Sequence, residues 1–100
     1  MTGNMKIIYR LHAVERLYER GIQPEEVRAA LESGEAIEKY PDDGAYPARL
    51  VLGGKGKRAV HVVAADNLQD DELIVVTGYR PGRGRWSDDL KRRRDEVLDV

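Results

Sequence analysis

Histidine and arginine side chains in the first quarter of the sequence are the residues best suited to acid–base chemistry on a phosphate. His12, Arg16 and Arg20 recur every four residues, which places them in one row if the segment is helical. Histidine exchanges a proton near neutral pH, and the planar guanidinium of arginine binds phosphate through paired hydrogen bonds. Such a row is also typical of a solvated helix surface, so both interpretations stay open.

A second group of polar side chains lies in Thr77-Gly78-Tyr79-Arg80. On a strand, Thr77 and Tyr79 would face the same side, and Gly78 would leave room for a ligand or another backbone. His61 lies in the middle of another apolar run. Metal-independent RNA cleavage needs a base for the 2′-hydroxyl, an acid for the leaving oxygen and cations around the phosphorane. The candidate catalytic residues are therefore His12, Arg16, His61, Tyr79 and Arg80, although the sequence does not show that they converge.

Trp86, the single tryptophan, follows an arginine-rich loop. One interpretation is a core side chain that anchors the last helix. The other is a stacking surface for a base beside Arg83 and Arg85. The candidate RNA-binding residues are Arg20, Thr77, Arg83, Arg85 and Trp86.

The hydrophobic periodicity predicts two helices near the N-terminus. Val14, Leu17 and Tyr18 recur as the apolar stripe of a first helix, about Leu11 to Arg20, which Gly21 ends.

The second helix, about Pro24 to Ser33, has proline at its first position and should bury Val27, Ala30 and Leu31 before Gly34 ends it. The short connection between the helices predicts an antiparallel hairpin.

After Gly34 the apolar period changes to that of strands. The alternation predicts strands over residues 36–40, 48–52, 58–65 and 72–79, with a glycine-rich hairpin tip at 53–57. Lys6 to Tyr9 is expected to be a short extended lead-in or part of the first turn of the helix. A last helix, capped by Ser87 or its neighbours, is expected to run to about Glu96. The predicted fold is α+β: an N-terminal helical hairpin packed on a four-stranded antiparallel sheet, with a short C-terminal helix.

Composition limits the functions that remain. The chain has 100 residues, which fits a single domain with its core at about residues 7–94. It has no cysteine, and two histidines make a poor zinc site, so we expect neither a metal nor another cofactor. A net charge of −1 argues against nonspecific coating of nucleic acid, although residues 80–94 are basic and residues 25–43 acidic. Without a membrane-length apolar run or a signal-peptide pattern, a cytoplasmic location is expected.

Several motifs in order carry a family resemblance. They are His12-Ala-x-x-Arg16 with Arg20-Gly21-Ile22, then Gly34-Glu35-x-Ile37-Glu38-x-Tyr40-Pro41, Val60-His61-Val62-Val63 and Thr77-Gly78-Tyr79-Arg80-Pro81. Over about residues 7–94 the sequence resembles the small bacterial domain-of-unknown-function family 4258, which is similar to the BrnT and RelE-like ribonuclease toxins. The resemblance implies helices packed on an antiparallel sheet, RNA cleavage without a metal and a cognate antitoxin. It also implies roles for His12 and Arg16 in the opening motif and for Tyr79 and Arg80 in the closing one.

Two functions from different classes follow. The first is a toxin-like, metal-independent endoribonuclease whose substrate is RNA, ribosome-bound mRNA included. The alternative is a non-catalytic module with a degenerate toxin fold that binds RNA or a partner protein through the basic end, residues 83–94. A structural partner whose acidic segment 25–43 docks a basic antitoxin is a third possibility, compatible with the first. Catalysis requires the imidazole of His12 to open onto the same concave surface as Tyr79. If His12 faces solvent while Tyr79 packs elsewhere, the binding function is favoured.

Overall fold

The computed structural model describes residues 6–42, 44–82 and 84–93. The elements follow in the order β1 (Lys6–Tyr9), α1 (Leu11–Glu19), α2 (Pro24–Ser33), β2 (Glu35–Tyr40), β3 (Ala48–Gly53), a 3₁₀ turn (Gly56–Arg58), β4 (Val60–Asn67) and β5 (Glu72–Tyr79). None of the helices in this part of the chain is long and apolar enough to cross a membrane.

All five strands form one mixed sheet in the order β1-β5-β4-β3-β2. β1 runs parallel to β5, and the other neighbours are antiparallel. The α+β class is as predicted, but the predicted architecture is wrong. The sheet has five strands rather than four, and it is not purely antiparallel. Along the chain, the two helices come after the first strand, β1, and before β2.

The lead-in predicted over Lys6 to Tyr9 is the edge strand β1. It pairs in register with the start of β5, from Lys6 opposite Glu72 to Tyr9 opposite Val75. Its four residues carry no local signal of pairing, because the partner strand lies at the other end of the sequence. A parallel pair of this kind also needs a long crossover, which α1, α2 and the remaining strands supply.

The first helix ends as predicted, but its buried face is different. Gly21 adopts the left-handed conformation at φ 68°, and the amide of Ile22 folds back to the carbonyl of Leu17 at 3.0 Å. The buried residues of α1 are Ala13 and Leu17. The prediction that Val14 and Tyr18 belong to the core is wrong, since they are 48% and 85% exposed.

The apolar arc of α1 is wider than the surface that covers it. Ala13 and Leu17 point at the sheet, and α1 packs mainly on β5. Gly78 on β5 marks this contact, since a Cβ there would lie 2.8 Å from a methyl of Leu17. The rest of the arc turns away from the sheet.

The second helix follows its prediction closely. It begins at Pro24 and ends at Ser33, with Val27 and Ala30 buried and Leu31 packed at the edge of the core. Because α2 lies very close to β3, a Cβ added to Gly53 would lie 2.5 Å from the Cβ of Ala30.

The two faces of the sheet are covered differently. The helix face holds the hydrophobic cluster of Ala13, Leu17, Ile22, Val27, Ala30, Val51, Val60, Val62 and Val75. On β4, His61 alternates with Val60 and Val62 and therefore points to the second face. His61 and Leu50 are fully buried, and Trp86 of the following segment is 4% exposed. Residues 84–93, the C-terminal strap, therefore carry a core residue as well as contacts to the second face.

The helix predicted from Ser87 is absent over the described residues 87–93, and residues 94–96 of that prediction lie outside the described part. The strap instead doubles back, with a bridge between Trp86 and Arg93. The amide of Ser87 donates to the carbonyl of Arg92 at 2.8 Å, and Leu90 is left-handed at φ 64°. A left-handed leucine does not fit a right-handed helix, so the serine begins a turn rather than a helix.

Replacement of Gly53 by alanine tests the close approach of α2 and β3. We expect Gly53→Ala to lower the free energy of unfolding by about 1–3 kcal/mol, because the new methyl collides with the backbone and side chain of Ala30. Denaturant titration followed by circular dichroism measures it. Gly44→Ala is the matched control, since nothing lies within 4 Å of a Cβ there. Equal stability of the two variants would contradict this packing.

Candidate functional site

A buried hydrogen-bonded chain joins β5, β4 and the strap on the second face. His61 lies directly opposite Tyr79 in the β4–β5 register. Its Nε2 is 2.9 Å from the carbonyl oxygen of Leu90, and its Nδ1 is 3.4 Å from the hydroxyl of Tyr79. Because a carbonyl can only accept, this geometry assigns the proton to Nε2 and leaves Nδ1 to accept from the phenol. His61 is therefore a neutral donor that holds the strap on the sheet.

Trp86 packs against this imidazole, and Arg93 lies over the ring of Trp86. The ring of Trp86 meets that of His61 edge-on, with centroids 4.4 Å apart, and the guanidinium carbon of Arg93 lies 4.8 Å from the centre of the Trp86 ring. Trp86 is thus a core side chain, as in the first interpretation of the sequence, but the segment it anchors is the strap and not a helix over residues 87–93. Its 4% exposure leaves no open ring face on which a base could stack.

A carboxylate on β2 completes the network. Glu38 accepts hydrogen bonds from Nε and Nη2 of Arg93 at 3.0 and 3.1 Å and another from the hydroxyl of Tyr40. Burial disfavours the charged carboxylate, but these hydrogen bonds outweigh it and lower the pKa of Glu38. Burial and then the same carboxylate raise the pKa of Tyr40 to about 12. Arg93 is therefore held in one orientation by a charged partner.

Beside this network lies a polar cavity of about 280 Å³, which we call the arginine cavity. It is lined by Tyr79, Arg80, Gly82, Arg85, Trp86 and Arg93. Arg85 is exposed, and within the described ranges its guanidinium has no acidic partner. In the same part of the chain, no group of three or more acidic or histidine side chains could hold a metal ion. The cavity is suited to an anion.

Arg80 is tied to the helix side of the site. Its guanidinium donates to both carboxylate oxygens of Glu26 at 2.7 and 3.1 Å, and Nη1 also reaches the carbonyl of Arg58 at 3.2 Å. The hydrogen bond from Arg80 lowers the pKa of Glu26. This ion pair fixes the end of β5 against the start of α2, so Arg80 lines the cavity with its charge already compensated.

The opening motif of the candidate catalytic set faces solvent. The side chain of His12 is 88% exposed, with Nδ1 3.5 Å from a carboxylate oxygen of Glu15. Arg16 is also exposed and forms a similar surface pair with Glu19 at 3.4 Å. Pairs of this kind contribute little to stability. The structure gives these two residues the solvated-surface interpretation.

Arg20, the last residue of that row, does reach the end of β5. Its Nη1 donates to the carbonyl oxygen of Gly78 at 2.7 Å, beyond the point where β1 stops pairing at Val75. Arg20 therefore takes the place of a missing strand neighbour. His12 lies eight residues earlier, and eight residues at 1.5 Å each place it about 12 Å back along the helix. The structure does not bring His12 to Tyr79.

Thr77 and Arg83 complete the predicted RNA-binding set. Thr77 is half-buried opposite Val63 in the register and lies on the same face as Tyr79. Arg83 lies outside the described residues. Of the ten residues predicted for the two roles, the arginine cavity therefore collects Tyr79, Arg80, Arg85 and Trp86, with His61 directly behind.

Sequence reasoning missed Glu38, Leu90 and Arg93. Glu38 and Arg93 are separated by more than half of the chain, and Leu90 contributes a backbone carbonyl, which has no sequence signature. The sequence carried a signal for one pair: His61 and Tyr79 lie on two predicted strands that follow one another in the chain. Without the register, that signal did not identify them as neighbours.

Comparison with known proteins identifies a family. The profile described as Domain of unknown function (DUF4258) matches residues 9–80, and the chain belongs to that family. The match includes His12, His61, Tyr79 and Arg80 but ends before Arg85. No match was found among curated proteins or among solved structures. The predicted family is confirmed, and the likeness to BrnT and RelE-like toxins stays a prediction.

The buried imidazole makes stability depend on pH. Burial lowers the pKa of His61; Glu38 and the bond to Leu90 oppose this shift, and Arg93 reinforces it. Below about pH 6.5, where an unfolded histidine takes up a proton, the unfolded chain binds more protons than the folded one. We expect the free energy of unfolding to fall as the pH is lowered from about 6.5 towards 5, measured by urea titration.

His61→Gln should remove this pH dependence, while His12→Gln, a change at the exposed histidine of α1, should leave it intact. The assignment fails if the wild type and His61→Gln lose stability in parallel over the same pH interval.

Proposed function

We propose that this protein binds RNA and holds a backbone phosphate in the arginine cavity. The observation that carries the proposal is the exposed guanidinium of Arg85, beside the phenol of Tyr79 in a cavity of about 280 Å³. An arginine fork is a phosphate ligand. The hydroxyl of Tyr79 would join it only by turning its proton away from Nδ1 of His61, 3.4 Å away. The cavity lies beside the hydrogen-bonded network of His61, Tyr79 and Arg93. Lining side chains that are already held in place favour binding, because they need not be reordered.

The charges of the cavity support a single phosphate. Arg80 is compensated by Glu26 and Arg93 by Glu38, at 2.7 and 3.0 Å. Arg85 therefore supplies the uncompensated positive charge among the described cavity side chains. A guanidinium has five N–H donors. Arg93 donates to the carboxylate of Glu38 through two of its nitrogens, Nε and Nη2. Arg93 thus remains a positioned donor, whereas both Nη groups of Arg80 are engaged with Glu26 and backbone carbonyls. Arg85 supplies the net attraction.

The geometry favours binding over the cleavage mechanism first considered. His12 and Arg16 lie on the exposed surface of α1, away from Tyr79. His61 is near Tyr79, but it is fully buried, and burial lowers its pKa. A buried neutral imidazole with both nitrogens engaged is suited to positioning rather than to proton exchange with a substrate.

Arg85→Ala tests the proposal. We expect it to weaken binding of a fluorescein-labelled single-stranded RNA by about 5- to 100-fold, since a lost charged hydrogen bond costs about 1–3 kcal/mol. The slope of log affinity against log salt concentration should fall by about 1. Fluorescence anisotropy measures both quantities.

Arg28→Ala removes the same charge from an exposed position on α2 and should leave the affinity nearly unchanged. If it weakens RNA binding as much as Arg85→Ala does, the attraction is spread over the surface and the cavity is not the site.

A toxin-like, metal-independent endoribonuclease is the second candidate. It is supported by the Tyr79 hydroxyl, which is in the cavity and hydrogen-bonded to a fixed imidazole. Burial raises the pKa of Tyr79, so the phenol stays protonated at neutral pH. It would act as an acid once its hydroxyl turns from Nδ1 of His61 to the leaving oxygen. In that reaction the 2′-oxygen attacks phosphorus as its proton passes to solvent. The 5′-oxygen leaves with the proton of Tyr79, and a 2′,3′-cyclic phosphate remains.

Tyr79→Phe separates the two candidates. If the protein cleaves RNA in EDTA, Tyr79→Phe should reduce the cleavage rate about 100-fold or more, the scale of general acid catalysis. RNA affinity should change far less, because the other cavity donors remain. Mass spectrometry should detect the cyclic phosphate ends. An intact RNA after incubation with the wild type, with and without ribosomes, would eliminate the nuclease function and leave the binding function standing.

The resemblance adds two further proposals. A cognate antitoxin would be encoded as a partner of a toxin-like protein, and both would act in the cytoplasm. Neither rests on the geometry of the cavity.

A further inference from the structure

The part of α1 that turns away from the sheet carries an uncovered apolar stripe. Leu11, Val14 and Tyr18 follow at the spacing of one helix face and are 71%, 48% and 85% exposed. Scattered exposed apolar residues are common, but three large ones on one face form a patch. This patch is the half of the α1 apolar arc that the core does not use.

The stripe borders a concave apolar surface, which we call the α1 groove. It encloses about 360 Å³ and is lined by Tyr9, Val14, Leu17, Tyr18 and residues 21–24. The turn between the helices forms its end, and the left-handed Gly21 shapes that turn. The groove is therefore built from ordered helix, strand and turn residues.

Acidic side chains flank the groove. Glu15 lies one turn after Leu11, and Glu19 one turn after Glu15, so both lie between the apolar stripe and the row of His12 and Arg16. Their side chains are 56% and 60% exposed, and each forms a surface pair, Glu15 with His12 at 3.5 Å and Glu19 with Arg16 at 3.4 Å. Such solvent-exposed pairs are weak and can exchange for a cation of a partner.

On the other side, Glu25 follows the lining residue Pro24 and is near enough to act on the pKa of Tyr9. Arg28 acts there too, but it also pairs with Glu32 at 3.5 Å. Exposed carboxylates thus lie on both sides of the apolar surface, with Glu15 and Glu19 beside the stripe and Glu25 beside the groove.

We propose that the α1 groove docks an amphipathic helix of another protein, with apolar side chains on its inner face and lysines or arginines beside them. The stripe offers the spacing with which one helix packs on another, and helix-in-groove recognition uses apolar anchors at that spacing. Basic flanks would meet Glu15, Glu19 and Glu25, which sets orientation and excludes acidic helices. A second copy of this chain fits less well, because a two-fold arrangement would bring these carboxylates together.

This docking site is independent of the proposed RNA function. The groove is on the helix side of the sheet, whereas His61 and the strap lie on the second face. Leu17 on the groove side meets Gly78 of β5, while Tyr79, the next residue, points the other way. Failure of one proposal leaves the other untouched.

The test uses three fluorescein-labelled helical peptides and the full chain. The first has leucines at helical spacing and lysines on both flanks. The second replaces the lysines by glutamates, and the third replaces the leucines by serines. We expect the leucine–lysine peptide to bind about tenfold or more tightly than either of the others, by fluorescence anisotropy.

Variants locate the binding. Val14→Asp should weaken binding of the leucine–lysine peptide about tenfold or more, since it places a charge on the apolar floor. Leu68→Ser is the matched control because Leu68 is 79% exposed in the turn after β4, far from the groove. The double variant Glu15→Lys/Glu19→Lys should lose affinity for the lysine peptide and gain affinity for the glutamate peptide. Circular dichroism checks that each variant remains folded.

Three results would overturn the proposal. One is equal binding of the lysine and glutamate peptides, and another is an equal loss in Val14→Asp and Leu68→Ser. The third is a wild-type dimer in sedimentation velocity that Val14→Asp converts to monomer, which would assign the groove to a second copy of the chain.

Discussion

The hydrogen bond from His61 to the carbonyl of Leu90 is the contact on which the second face of the sheet depends. It joins the middle of the sheet to a strap that is also held by the buried ring of Trp86 and by ion pairs such as Lys91 with Glu35 at 2.9 Å. A buried imidazole without this acceptor would leave a polar group unsatisfied, which is costly in an apolar interior. Because Leu90 must present its carbonyl inward, the strap turns back on itself. Trp86 then packs edge-on against the imidazole of His61, and Arg93 lies over the ring of Trp86.

The sheet divides the molecule into two surfaces with different chemistry. On the helix face, close contacts such as Gly53 with Ala30 bring α2 close to the strands. Ion pairs such as Arg28 with Glu32 lie on the exposed side of the helix. On the second face, the core is thin and partly polar, and its network ends at the arginine cavity. The end of β5 is where the surfaces meet, with Arg80 bound to Glu26 of α2 and Tyr79 bound to His61 of β4. A ligand in the cavity therefore contacts residues held from both sides.

Local signals in the sequence were sufficient for most elements and insufficient for their arrangement. Gly21 and Pro24 mark helix ends whose causes are local, and the structure has these ends as predicted. β1 was missed because its pairing depends on β5. The last helix was predicted because Ser87 suits a helix start, yet the bond of His61 to Leu90 selects a turn. The same limit applies to the site: side-chain type identified Tyr79 and Arg85, while their assembly and the separation of His12 depend on tertiary structure.

Phosphate binding in the arginine cavity is tested by titration of the ¹⁵N-labelled protein with a short single-stranded RNA, followed by NMR. We expect the largest shifts at the amides of Tyr79 and Arg85, at the Arg85 Nε–H and at the Trp86 indole N–H. The amides of α1 should show little change. Shifts concentrated at His12 and Arg16, without shifts at the residues of the arginine cavity, would contradict binding in the cavity. They would place the RNA site on the exposed face of α1.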